Sequence, residues 1–139
     1  MVTYLLEKEI FEVKGEYQIL IVGTRCKEIA RSIGFSLKEQ TEIAISASEI
    51  ASNIVYHAEG KGIVVVEIIS EEGRRGIEIR GEDEGPGIEN IELALQDSYS
   101  TIGSLGSGLP ALRRLMDEFQ IESELGKGTK VVVRKWLKI

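Results

Sequence analysis

The stretch Ser36–Gly60, SLKEQTEIAISASEIASNIVYHAEG, carries two patterns at once. Ser36 and Glu39 stand at capping-box spacing and Gly60 offers a stop, so the segment predicts a helix. Ile43, Ala47, Ile50 and Ile54 recur at steps of four, three and four, which gives that helix one apolar face toward a core. Beside this face Glu42, Ser46, Glu49, Asn53 and His57 form a polar stripe. Glu49 and Asn53 lie one turn apart and project to the same side. They supply a carboxylate base and an amide oxygen for a hard cation, or else belong to an ordinary solvated helix face.

Upstream, LLEKEIFEVK predicts a strand over Leu5–Val13, and GEYQILIVGTRCKEIARSIGF predicts a helix with Ile21, Ile29 and Ile33 among its apolar positions and Gly34 as its stop. That helix has more apolar positions than one face needs, so its exposed ones are candidate partner contacts. Downstream, GIVVVEIIS and RRGIEIRGE flank the polar turn EEG and read as an antiparallel hairpin. LPALRRLMDEF reads as a helix with Pro110 in its first turn, and FQIESELGKGTKVVVRKWLKI as strand, glycine turn and strand. The element order is β-α-α-β-β-(α)-loop-α-β-β. It predicts an α+β fold, a two-layer α/β sandwich with a mixed, mostly antiparallel sheet and helices on one face. One domain over residues 1–139 is expected.

Composition narrows the function classes. The net charge of −6 argues against a nucleic-acid partner. Cys26 is the only cysteine and His57 the only histidine, so neither an intrachain disulfide nor a cysteine/histidine zinc cluster can form. A reducing, cytoplasmic setting is expected. No apolar run is long enough to span a bilayer and no leader is evident, so no membrane association is expected.

Three glycine-containing stretches remain. DEGPG opens at Asp83, where the second hairpin strand ends, and a carboxylate fixed there can accept from an exocyclic amine; Gly85 and Gly87 permit unusual backbone. GSLGSGL, Gly103 to Leu109, runs into a helix, and its amides offer a polyphosphate cradle. It is not a P-loop, since no Gly-Lys-Ser/Thr ends it. GKGT, Gly126 to Thr129, reads as a hairpin turn. Singly, each string is also compatible with a surface turn or a plain connection.

In order, the chain has a Glu-xxx-Asn helix pair, a DxGxG turn, a GxxGxG loop entering a helix and a GxGT turn. This set resembles the GHKL (Bergerat) ATP-binding fold over nearly the whole chain. SEIASNIVYHA and GSLGSGLPALRRLMDEF most resemble the RsbT-type switch kinases of the bacterial stressosome, which are anti-sigma-type serine/threonine kinases. The resemblance implies ATP and Mg²⁺ as cofactors. Asn53 would hold the metal, Asp83 would accept from the adenine amine, Gly85 and Gly87 would admit the base, and Thr129 would support the contact directly or through water. A glycine-rich ATP lid would span about Ser98 to Gly108, with Gly103, Ser104, Gly106, Gly108 and Leu109 on the phosphates. Glu49 would be the general base. Implied partners are STAS-domain antagonist and scaffold proteins, phosphorylated on serine or threonine, and a PP2C-type phosphatase activated by partner switching. The alternatives are an anti-sigma factor that sequesters a sigma factor, and an inactive nucleotide-gated binding module. One departure is that no Lys or Arg occurs between Ile88 and Leu112. Arg113, Arg114 and Lys127 are the basic residues that could reach a γ-phosphate instead.

Overall fold

The computed structural model describes residues 3–95 and 108–138. In chain order its elements are β1 (Thr3–Val13), α1 (Glu16–Ile33), α2 (Leu37–His57), β2 (Gly62–Glu71), β3 (Arg74–Asp83), the single turn α3 (Ile91–Ala94), α4 (Leu109–Leu115), β4 (Glu118–Glu124) and β5 (Gly128–Trp136). The capping box forms as its sequence predicts: Ser36 Oγ accepts the Glu39 N–H at 3.2 Å, and Glu39 Oε1 accepts the Ser36 N–H at 3.1 Å. Helix α2 stops at His57, three residues before Gly60.

The strands run β1-β2-β3-β5-β4, and all four neighbouring pairs are antiparallel. The sequence order predicts a mixed sheet. One crossover helix would bring β2 back parallel to β1, whereas the paired helices α1 and α2 add a further reversal. The hairpin between β2 and β3 turns through Glu72 and Gly73, both at positive φ (51° and 79°), as a two-residue primed turn requires.

Alternation along the strands divides the sheet. Val64, Val66, Ile68, Ile77, Ile79, Val131 and Val133 face the helices and pack with Val22, Cys26, Ile29, Ile43, Ala47, Ile50 and Ile54 in one buried cluster. The other face carries an ion-pair lattice. Arg80 approaches Glu78 at 3.2 Å and Glu67 at 3.6 Å, while Arg134 holds Glu78 at 2.8 Å and Glu71 at 3.4 Å. On α1, Tyr17 and Leu20 remain 70% and 66% exposed.

Helix α4 is shorter than the sequence pattern predicts. The chain leaves it after Leu115 because the Asp117 N–H donates to the Arg134 carbonyl at 2.9 Å and the Trp136 N–H donates to Asp117 Oδ2 at 2.8 Å. These bonds tie the chain to the sheet from Asp117 onward. The buried Lys135 ammonium donates to the Leu115 carbonyl at 2.6 Å and pairs with Glu42 at 3.5 Å, which ties the end of α4 to α2.

Cys26 is wholly buried, and that burial pushes its thiol up to about 12. It is expected to resist a thiol reagent in the folded protein and to react at a rate that tracks unfolding. Rapid stoichiometric labelling without denaturant would contradict this packing.

Candidate functional site

A cavity of about 320 Å³ opens between α2, the ends of β3 and β5, and the segment after β3. Ligand pockets begin at about this size. Ile50, Ile54, Pro86, Ile88, Leu93 and Val131 supply apolar walls, and Asn53, Asp83 and Thr129 supply polar groups. The volume and the mostly apolar lining suit a planar heterocycle with a few fixed hydrogen bonds.

Asp83 ends β3, and its side chain is held by backbone. Its Oδ1 accepts the Gly85 N–H at 2.9 Å and the Thr129 N–H at 3.2 Å. Among the described residues no hydrogen bond engages Oδ2, which is therefore the oxygen available to a ligand. Thr129 stands directly opposite Asp83 in the β3/β5 register. The turn after Asp83 is fastened to the β4/β5 hairpin, where the Gly126 N–H donates to the Pro86 carbonyl at 2.7 Å and the Ile88 N–H donates to Ser123 Oγ at 2.8 Å.

The glycines of this turn answer first to the protein's own backbone. A Cβ on Gly87, at φ 79°, would collide with the Glu124 carbonyl, and one on Gly128, at φ 94°, with the Asp83 carbonyl. Gly85 lies similarly close to Ala58. Bare backbone lets strand end, turn and hairpin approach one another closely enough to aim Asp83.

The polar stripe on α2 is not a solvated face at its centre. Ser46 and Glu49 are wholly buried, with Ser46 Oγ donating to the Glu42 carbonyl at 2.9 Å. Asn53 is half-buried on the cavity wall, and His57 is exposed at its rim. Glu49 lies one turn toward the N-terminus from Asn53 and outside the cavity walls.

The structure thus brings Asn53, Asp83, Gly87, Leu109 and Thr129 to one cavity. Glu49, Gly85 and Gly108 are not among its walls. Gly103, Ser104 and Gly106, with most of the expected lid, lie outside the described residues. Among the described residues no lysine or arginine lines the cavity. Arg113 and Arg114 lie exposed on α4, and Lys127 pairs with Glu124 at 3.5 Å. Sequence reasoning missed Ser123, whose signal was a serine and a threonine flanking one tight turn. It also took Ile50 and Ile54 only as core, although they form wall and core together.

Comparison with known proteins shows the family and the fold. The histidine kinase-like ATPase domain model matches residues 18–135, so the chain belongs to that family. It is an RsbT-like serine/threonine-protein kinase: the serine/threonine-protein kinase RsbT of Bacillus subtilis (strain 168) is 37% identical over 132 residues, covering 95% of this chain and 98% of that protein. The anti-sigma F factor of Clostridium acetobutylicum is 36% identical over 105 residues, 72% of each chain. Two solved structures share the fold. The RsbU and RsbW domains of Rv1364c from Mycobacterium tuberculosis align with TM-score 0.61 at 15% identity, over 94% of this chain and 32% of that one. The SiaB-SiaC complex from Pseudomonas aeruginosa aligns with TM-score 0.54 at 15% identity, over 96% of this chain and 91% of that one. No helix among the described residues is long and apolar enough to cross a membrane.

Proposed function

We propose that this kinase uses ATP with Mg²⁺ to phosphorylate serine or threonine on STAS-domain antagonist and scaffold proteins of a stressosome, then switches partners to activate a PP2C-type phosphatase controlling a stress sigma factor or second-messenger pathway. The supporting observation is the convergence of Asn53, Asp83 and Thr129 on one cavity, with the buried Glu49 one turn away. Partner contacts are assigned to the exposed Tyr17 and Leu20 of α1. The proposed setting is the cytoplasm, where ATP is supplied and a lone thiol stays reduced.

The residues fit the nucleotide. Asp83 Oδ2 accepts from the base amine, while Ile50, Ile54, Ile88 and Val131 cover the ring faces. Among the described residues no cluster of three acidic, histidine or cysteine side chains could hold a metal unaided. That suits Mg²⁺, which takes one or two protein oxygens and completes its shell with phosphates and water. Asn53 is the assigned protein oxygen. ATP supplies the phosphoryl group and the metal neutralises phosphate charge. Glu49 takes the proton of the incoming hydroxyl as general base.

Asp83→Asn tests the adenine contact. Two backbone N–H groups hold Oδ1, so an asparagine oriented by them would turn its NH₂ toward the base amine, donor against donor. ATP affinity should fall roughly 100-fold, as for a buried polar mismatch, with a smaller loss for GTP, whose carbonyl can accept from that NH₂. Unchanged ATP binding in calorimetry would remove Asp83 from the site.

The whole reading is tested by titrating the protein with ATP and GTP, with and without Mg²⁺, and following phosphate transfer to a STAS-domain protein. Mg²⁺-dependent binding that prefers ATP, followed by phosphoserine or phosphothreonine, is expected. The absence of nucleotide binding in the presence of partner would overturn it. A second reading, an anti-sigma factor that sequesters its sigma factor, is favoured by the similarity to anti-sigma F factors. A stable complex with a sigma factor on gel filtration would select it.

A further inference from the structure

Ser123 on β4 stands opposite Thr129 on β5, and Thr129 stands opposite Asp83 on β3, so the three side chains form one row across three strands. Ser123 Oγ accepts the Ile88 N–H at 2.8 Å, lies 2.8 Å from Thr129 Oγ1, and has the Gly128 carbonyl 3.1 Å away. The Ile88 N–H can only donate, and Ser123 has a single proton to pass on. If Ser123 gives it to the Gly128 carbonyl, Thr129 must donate back to Ser123 and can show the cavity only a lone pair. If Ser123 gives it to Thr129, the chain runs in one direction from Ile88 through Ser123 to Thr129, and the threonine proton points into the cavity.

We infer that Ser123 is a specificity-determining positioning residue: by donating to Thr129 it makes that threonine a hydrogen-bond donor beside the acceptor Asp83. A hydroxyl that accepts one hydrogen bond donates the next more strongly, so the row favours an acceptor in the cavity. An acceptor from Asp83 and a donor from Thr129, side by side, fit a heterocycle edge with an amine next to an unprotonated ring nitrogen. Adenine has that edge. Guanine has the reverse, a carbonyl next to a ring N–H, and mismatches both groups. The inference rests on the proposed ATP site and adds a residue that does not itself line the cavity.

The test compares equilibrium binding of ATP and 1-deaza-ATP, which has C–H in place of the ring nitrogen but keeps the amine. The proteins are the wild type, Ser123→Ala and Ser123→Thr. The wild type should prefer ATP by about tenfold, the size of one good hydrogen bond. In Ser123→Ala the preference should shrink to about threefold or less. Loss of the Ile88 contact weakens both nucleotides alike and cancels in the ratio. Ser123→Thr, which keeps the hydroxyl and suits a strand, should retain the preference. An unchanged ratio in Ser123→Ala would reduce Ser123 to a structural role and overturn the inference. Equal binding of the two nucleotides by the wild type would overturn it without any variant having to fold. Failure of the wild type to bind either nucleotide is the separate result that removes the ATP site itself.

Discussion

Glu49→Gln is expected to slow phosphoryl transfer to a protein hydroxyl by about 10²–10⁴-fold, the usual contribution of a positioned general base, while ATP affinity stays within about twofold of the parent. The substitution is nearly isosteric, so the wholly buried position on α2 keeps its shape. Glutamine cannot take a proton at neutral pH. Because Glu49 is not a wall of the cavity, whereas Asn53 one turn on is, loss of rate and loss of nucleotide binding should separate cleanly. Single-turnover transfer from labelled ATP to the partner measures the first, and calorimetry the second. Transfer at the parent rate would leave the base assignment without support.

Among the described glycines, Gly128 should be the one least tolerant of alanine. Its φ of 94° is strained for any residue with a side chain, and the added methyl would press into the Asp83 carbonyl. A loss of about 3 kcal/mol is expected, strain and contact together, along with weaker ATP binding as the Asp83 turn is pushed aside. Gly126 is the matched control. It too has positive φ, at 83°, but nothing lies within 4 Å of where its methyl would sit. Gly126→Ala should cost only the conformational strain, about 1 kcal/mol. Equal urea midpoints for the two variants would show that the approach of β5 to the Asp83 turn is not what Gly128 secures.

The contrast between these glycines marks where local pattern stops informing. Helix α2 was legible because its cap, apolar period and stop all lie within one segment. The same holds for the β2/β3 hairpin, whose turn needs only Glu72 and Gly73. Asp83 was legible as a candidate because it sits at a strand end just before a glycine turn, whereas Thr129 entered only through the family resemblance, since GKGT by itself reads as a hairpin turn. The insertion of β5 between β3 and β4 was not, since it depends on pairings distant in sequence. The end of α4 was lost for the same reason: only contact with Arg134 and Trp136 reveals that Asp117 belongs to the sheet. Glu49 looked compatible with solvent because its complete burial depends on elements packed onto α2 that its own segment does not show. Ser123 read as an ordinary strand serine, because its meaning comes entirely from what the register sets opposite it.

That register has a bearing on how recognition arises. Asp83, Thr129 and Ser123 share the helix-side face, and a slip of one residue between any two of these strands would turn a member of the row to the opposite face. At the proposed site, base reading is therefore a property of strand register and not of a loop: the row is complete only when β3, β5 and β4 are all paired in this register.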